Sequence, residues 1–478
     1  MPLRLAVLGA VLLLFGCAVG PDFKRPEPPQ TPAYTRSAVT LPDAGSADPS
    51  QKLVADAAVQ ARWWNVFHSA ELDQVVQLAI EGSPNLQAAR ANLAQAREAI
   101  AAARGGLYPQ VDVNAGVLRQ RTGEAIVSPG THNQLNAGLN VSYNPDAFGA
   151  VSRLVEEQSA LAEVQRYELA AAYLSLTGNA VVQALNIASA RDQIAAVEDI
   201  LAIDQKNLDL VHIAFESGKV ARTDVLDAES LLASDLALLP PIQQQSSVAE
   251  HALAVLLGRP PAEWEAPSFD LARLSLPTDL PVRVPSALAR ERPDILAAEA
   301  QLHAATAAIG VATAHLFPDF TLSASWVQEA ATLGVLFDSA NGVGIVAAQI
   351  TAPLFHGGTL QAQQRAAVDA MEAQLALYRQ TVLQAFGQIA DTLLALQHDA
   401  AGLAAQREAL DAAQASLELN QESYTAGQAT FLQVLTSQRL YQQARLGYAR
   451  AKSQRYLDTV QLFVAMGGGW QDANLSER

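Results

Sequence analysis

The sequence predicts an α+β membrane protein in which long coiled-coil helices alternate with pairs of strands. Three observations predict it. The chain contains two copies of one pattern, each copy has a proline-poor stretch of more than sixty residues, and each copy has stretches in which apolar and polar residues alternate. The first is the sign of an internal duplication, the second of a very long helix, and the third of half-buried strands.

The duplication is visible in residues that recur at one offset. Pro84 recurs as Pro293 and Gly218 as Gly427, in each case 209 positions later. A unit of this size is too long for a solenoid repeat, so we expect each copy to be a large assembly packed beside its twin. The expected organisation is a signal peptide at 1–16, an amino-terminal extension at 17–60, a first repeat at 61–270, a linker at 271–284, a second repeat at 285–470 and a tail at 471–478.

The amino terminus resembles a bacterial lipoprotein signal. The apolar run Leu5–Phe15 is too short to span a bilayer and is typical of a secretory signal. Cys17 is the only cysteine, so no internal disulfide is possible. Leu14 and Gly16 before it resemble a lipobox, which implies a lipid on Cys17, and Ala18 after it implies sorting to the outer membrane. The proline-rich stretch 21–50 that follows predicts an extended tether.

Composition and motifs exclude several classes of function. A net charge of −17 with only 31 Lys and Arg argues against a nucleic-acid partner, because neutralising phosphates requires clustered cations. The sequence has no phosphate-binding glycine loop, no nucleophile elbow and no paired metal ligands. We therefore expect no enzyme activity, no catalytic or metal site and no cofactor apart from the lipid on Cys17.

Each copy predicts a long helical hairpin, at about 150–257 and 359–466. Between Val151 and Ser217 there is no proline, and a helix of this length would extend roughly 100 Å. After Gly218 the helical pattern resumes, and Pro240-Pro241 must kink or split the returning helix. In copy two an apolar or aromatic residue falls at every seventh position: Val368, Leu375, Val382, Ile389, Leu396, Leu403, Leu410, Leu417 and Tyr424. A strict seven-residue repeat predicts a left-handed coiled coil.

Two strands are predicted before each long helix. They are expected at about 108–119, 133–145, 317–329 and 342–354. Their length suits strands that span a membrane at a tilt. Four strands cannot close a barrel, and an open sheet edge is not tolerated in hydrocarbon. The chain is therefore expected to oligomerise.

Several motifs resemble the outer membrane efflux protein family (TolC-like), and most closely its NodT-type lipoproteins. They are the opening Cys17-Ala-Val-Gly-Pro-Asp-Phe-Lys-Arg-Pro26, Arg62-Trp-Trp64, and Arg290-Glu-Arg-Pro-Asp294. The resemblance implies a homotrimer with a twelve-stranded β-barrel in the outer membrane and a helical α-barrel in the periplasm. It further implies a passive exit duct for small molecules, served by a periplasmic adaptor protein and an inner-membrane resistance-nodulation-division transporter.

The resemblance also implies that the tips of the two hairpins close the duct and meet the adaptor. The candidate residues are Gly218, Asp224, Asp227, Gly427, Gln433 and Thr436. Relatives often carry an acidic ring after the second tip, but copy two has Gln433 and Thr436 there. Asp224 and Asp227 of copy one either supply the charge or only cap their helix.

Two alternatives remain open from the sequence alone. Within the same fold, the chain could be a type I secretion duct for polypeptides. In a different class, it could be a coiled-coil lipoprotein scaffold that conducts nothing. The scaffold accounts for the seven-residue repeat and the lipid, but it leaves the alternating strands unexplained.

Overall fold

The computed structural model describes residues 18–42, 50–57, 59–122 and 130–472. Cys17 and the signal peptide lie outside the described residues. The chain forms two compact units, and both units draw on both repeats. Unit 1 contains the described residues up to Glu27, Ala91–Tyr167 and Leu296–Gln380, and unit 2 contains Pro28–Arg90, Glu168–Ile295 and the residues from Thr381 onward.

The described helices include both predicted hairpins and four further helices outside them. The helices are α1 Ala70–Gly82, α2 Pro84–Gly105, α3 Ala150–Glu216, α4 Arg222–Leu236, α5 Leu239–Leu256, α6 Pro285–Leu288, α7 Pro293–Ala314, α8 Thr359–Thr425 and α9 Phe431–Ala465. Two of them, α3 and α8, have 67 residues each, which confirms the long helices. Pro240-Pro241 lies in the first turn of α5, where a missing N–H costs nothing, so the predicted split is confirmed. By length and hydropathy α7 could cross a bilayer, but half of that stretch is buried, as in an ordinary core helix.

The seven-residue seam of α8 is buried where it runs through unit 2. The buried seam residues are Val382, Ile389, Leu396, Leu403, Leu410 and Leu417. Each leucine removed from water contributes about 1.5 to 3 kcal/mol. The apolar face of the helix, more than its intrinsic propensity, therefore holds α8 in place.

The six described strands form two sheets. They are β1 Lys52–Ala55, β2 Gln110–Thr122, β3 Gly130–Tyr143, β4 Asp279–Val282, β5 Asp319–Ala330 and β6 Gly342–Thr351. The four long strands form one antiparallel sheet in the order β2-β3-β5-β6, as the fold class predicts. A small parallel sheet of β1 and β4 joins the extension to the linker.

The register of the four-stranded sheet places its apolar residues on one face. Val113 lies opposite Leu139, which lies opposite Trp326. On the other face Asp112 lies opposite Asn140. The apolar face is open in the single chain, since Val113 is 79% exposed. The alternation of apolar and polar residues is weaker in β6, because Ile345 lies on the polar face.

The proline-rich extension is more than the predicted tether. Residues 18–42 contain no helix or strand, as expected of an extended segment. In unit 1, however, the Val19 amide donates to the Phe148 carbonyl at 3.2 Å. The Phe23 ring stacks on His303 with centroids 4.4 Å apart. In unit 2 the Tyr34 hydroxyl donates to the Arg283 carbonyl at 2.8 Å. The prediction of a tether alone was wrong, because proline-rich composition does not exclude specific docking.

A single charge in the seam should destabilise the protein. We expect Leu396→Asp to lower the free energy of unfolding by about 3 to 5 kcal/mol, because an unpaired carboxylate would replace a buried leucine. Leu396 is 1% exposed, whereas Leu394 on the same helix is 40% exposed and serves as the matched control. Denaturant unfolding followed by circular dichroism measures both. Equal losses for Leu396→Asp and Leu394→Asp would show that the seam is not the stabilising contact.

Candidate functional site: the hairpin tips

The two hairpin tips are built from the same turn. Gly218 and Gly427 have φ values of 71° and 74°, a conformation that costs other residues about 1 to 2 kcal/mol. At the first tip, Gly218 N donates to Phe215 O at 2.9 Å and Lys219 N donates to Ala214 O at 2.9 Å. This pair of bonds is a Schellman motif, which satisfies the last carbonyls of α3. The second tip repeats it with Gly427 and Gln428.

Asp224 and Gln433 cap the returning helices at equivalent positions. The Asp224 carboxylate accepts from the Ala221 amide at 2.9 Å. The Gln433 side-chain oxygen accepts from the Thr430 amide at 2.7 Å. Both side chains thus satisfy an amide that has no partner within its helix. The helix-capping interpretation of Asp224 is supported directly by this bond.

Asp227 and Thr436 face a common groove between α4 and α9. The groove has a volume of about 680 Å³, and Arg439 and Arg450 also line it. Below it, an apolar cluster binds the four tip helices together: Leu208 and Val211 of α3, Val225, Ala228 and Leu231 of α4, Leu417 of α8, and Phe431, Val434 and Leu435 of α9. The six predicted tip residues therefore divide into two turn glycines, two caps and two groove residues.

A buried polar network that the sequence did not predict adjoins the groove. Asp204 of α3 and Asp235 of α4 are 3% and 2% exposed. The amide of Gln438 donates to Asp204, and the amide of Gln442 donates to Asp235. A signal was available, because Asp204 follows Leu201 by three residues and so occupies the second core position of the heptad.

Comparison with known proteins decides which fold family this geometry represents. The profile of the family described as Outer membrane efflux protein matches residues 75–259 and 284–468, two stretches that begin 209 residues apart. The chain belongs to the outer membrane efflux protein family. The duplication predicted from the sequence is the repeat of this family. The protein is an outer membrane efflux channel with a periplasmic helical domain, and it is not an enzyme.

Curated relatives of this efflux channel match nearly its whole length. The pyoverdine export outer membrane protein OpmQ of Pseudomonas putida is 31% identical over 479 residues, covering 98% of both chains. Nodulation protein T of Rhizobium leguminosarum bv. viciae is 30% identical over 480 residues, covering 98% of this chain and 94% of that protein. These matches confirm the predicted NodT-type relationship.

Solved structures of outer-membrane channels share the fold. The outer-membrane channel OprN is 28% identical with a TM-score of 0.84, covering 95% of this chain and all of that chain. The Campylobacter jejuni CmeC outer membrane channel has a TM-score of 0.86 at 20% identity, covering 96% of this chain and 97% of that chain. At that identity CmeC supports the fold alone.

Removing the first cap should loosen the first tip of this efflux channel. We expect Asp224→Ala to destabilise the start of α4 by about 1 kcal/mol, since the Ala221 amide loses its acceptor. Trypsin should then cleave after Lys219 and Arg222 about fivefold faster, because the tip opens locally more often. Asp227→Ala on the same helix is the control. An unchanged cleavage rate in Asp224→Ala would show that the cap contributes nothing to tip stability.

Proposed function

We propose that three copies of this chain assemble into one closed barrel, and that the trimer is the exit duct of a tripartite efflux pump. The observation that carries the proposal is the two-faced sheet with open edges. In the described part of the chain, β2 pairs only with β3 and β6 pairs only with β5. Hydrocarbon cannot satisfy the amides and carbonyls of such edges.

Edge pairing between copies satisfies those groups. Three copies would supply twelve strands, an even number within the range of outer-membrane barrels. In the closed barrel the face with Val113, Leu139 and Trp326 would contact lipid, and the face with Asp112 and Asn140 would line an aqueous lumen. Both faces are then in the solvent that their side chains require.

The cargo we propose is small organic molecules. The curated relatives include proteins named for the export of pyoverdine, and for the efflux of toluene and of antibiotics, in Pseudomonas putida. These names favour small solutes over the alternative of secreted polypeptides. A duct with no energy source of its own requires a transporter. We therefore propose an inner-membrane resistance-nodulation-division transporter and a periplasmic adaptor as partners, with the adaptor meeting the hairpin tips.

The proposed constriction lies at the tips, with Thr436 of α9 at its lining. Thr436 is exposed, and its hydroxyl donates back to the Leu432 carbonyl at 2.8 Å. A threonine side chain carries no charge. A ring of threonines from three copies would be neutral. We therefore propose that this channel discriminates against anions only weakly at its tip.

Conductance in planar bilayers tests the duct and its constriction together. We expect stepwise currents from the purified trimer, and we expect Thr436→Asp to shift the reversal potential in a salt gradient toward cation selectivity, because three carboxylates would line the narrowest point. Thr436→Asn, a neutral change at the same position, is the control. An absence of current steps would overturn the duct, and an unchanged reversal potential in Thr436→Asp would place the constriction elsewhere.

We also propose that Cys17 carries a lipid anchor. Cys17 is outside the described residues, but Val19, two positions later, is bonded to the Phe148 carbonyl. Phe148 follows β3 by five residues and stacks on Phe317, which precedes β5. Two residues extend at most about 7 Å, so the anchor would be held beside the base of the sheet, where strands leave the membrane.

Replacement of the cysteine tests the anchor. We expect Cys17→Ala to abolish incorporation of radiolabelled palmitate and to weaken membrane attachment while leaving the fold intact, because the docked residues from Val19 onward are unchanged. Ser37→Ala, a change in the exposed part of the extension, is the control. Palmitate incorporation that persists in Cys17→Ala would refute the lipid assignment.

A further inference from the structure

Asp204 and Asp235 place two acidic side chains together in the protein interior, which is unusual. Both carboxyl groups are buried, and one oxygen of each, Oδ2, has no hydrogen-bond partner. The other oxygen of each accepts from a glutamine amide. The Asp235 side chain lies within hydrogen-bonding reach of Asp204. Two buried carboxylates this close cannot both be ionised without a large penalty. Each orphaned oxygen lacks a donor, and one proton held between the two carboxyls supplies it.

Among the described residues, no cation lowers the pKa of Asp204; the causes of its raised pKa are burial and then Asp235. The side chains that donate to the pair are the neutral amides of Gln438 and Gln442, and Asn207 donates to Gln438 in turn. Leu208 and Leu231, one turn away on α3 and α4, belong to the apolar cluster at the tip. The charged side chains of the packed helices that face water include Lys206 and Asp209 of α3, Asp227 of α4, Asp411 and Glu418 of α8, and Arg439 and Arg450 of α9. His212 of α3, Glu229 of α4, Arg407 of α8 and Arg445 of α9 are half-buried. Of the side chains that face water, Asp227, Arg439 and Arg450 line the groove that Asp235 borders.

The pair connects three helices of the two hairpins. Asp204 belongs to α3 and Asp235 to α4, the two arms of hairpin one, while Gln438 and Gln442 are one turn apart on α9 of hairpin two. The protonated pair therefore joins both arms of one hairpin to the returning arm of the other. Copy two has no acidic pair at the matching positions, because the residues 209 positions later are Ala413 and Ala444.

We propose that Asp204 and Asp235 share a single proton and act as a latch, which holds hairpin one against α9 until the proton is lost and the tip loosens. Loss of the proton leaves two adjacent buried anions. They are relieved only by separation of α3 from α4 or by entry of water from the groove. The latch itself does not depend on the proposed channel function. Only its consequence, that a loosened tip conducts more readily, rests on that function.

The direction of the pH dependence follows from linkage. Burial first, and then Asp235, raises the pKa of Asp204 from its ordinary 3.8 to about 8. A loosened pair exposed to water has an ordinary pKa. At any pH between the ordinary and the raised pKa, loosening therefore releases a proton. Each protomer therefore loosens more easily as pH rises, by up to about tenfold per pH unit, and the dependence ends above the raised pKa.

Spin labels across the groove test the latch without reference to transport. Ser230→Cys and Gln443→Cys place one label on α4 and one on α9, both at exposed positions that line the groove. In protein with Cys17→Ala, we expect the distance between the labels to broaden and lengthen from about pH 5 to about pH 9. Asp204→Ala combined with Asp235→Ala reproduces the residues of copy two and should remove the pH response. Asp204→Asn, which keeps the side-chain shape, should remove it as well.

The controls separate the latch from its role in the channel. Asp227→Asn changes an exposed carboxyl in the same groove and should leave the pH response intact. A pH response that persists in both Asp204 variants, or its absence in the parent protein, would overturn the latch. In planar bilayers, the open probability should rise with pH in the parent protein and not in Asp204→Asn. Label movement without any change in current would overturn the role in opening while the latch itself stands.

Discussion

The structure depends on one constraint, that a sheet edge cannot remain unpaired in hydrocarbon. A four-stranded sheet with an exposed apolar face and two open edges is not stable in either water or lipid as a single copy. Each unpaired amide or carbonyl costs several kcal/mol in lipid. The register, the alternation of side chains and the need for further copies all follow from this constraint.

The two copies share their turns and helix caps but differ in their buried polar residues. The turn glycines and the caps are matched between the copies, with Asp224 and Gln433 making the same bond to the backbone. The buried acids are not matched. Two copies of one helical plan can share their apolar seams while each places polar groups at different core positions, because a coiled coil tolerates an isolated polar core residue at a cost in stability.

Periodicity predicted most of the fold and little of the buried polar chemistry. The sequence predicted the seam from Val382 to Leu417 and the four strands, because burial on one face imposes a period of seven or of two residues. It did not predict the docking of the extension through Val19 and Phe23, because this docking depends on contacts with residues more than one hundred positions away. The partners of Asp204 likewise come from other helices, so its spacing could indicate burial but not pairing.

A second acidic pair, Asp399 and Asp458, shows why the tip pair in particular can switch. Asp458 of α9 is 4% exposed, and Asp399 of α8 is half-buried. Burial first, and then Asp458, raises the pKa of Asp399 to about 7. Here Arg455 opposes the shift, and its side chain also donates to Gln51. A nearby cation balances a second negative charge, so ionisation does not force these helices apart. At Asp204 no cation opposes the shift. A shared proton therefore balances that pair, which makes it sensitive to pH and suited to a part that must move.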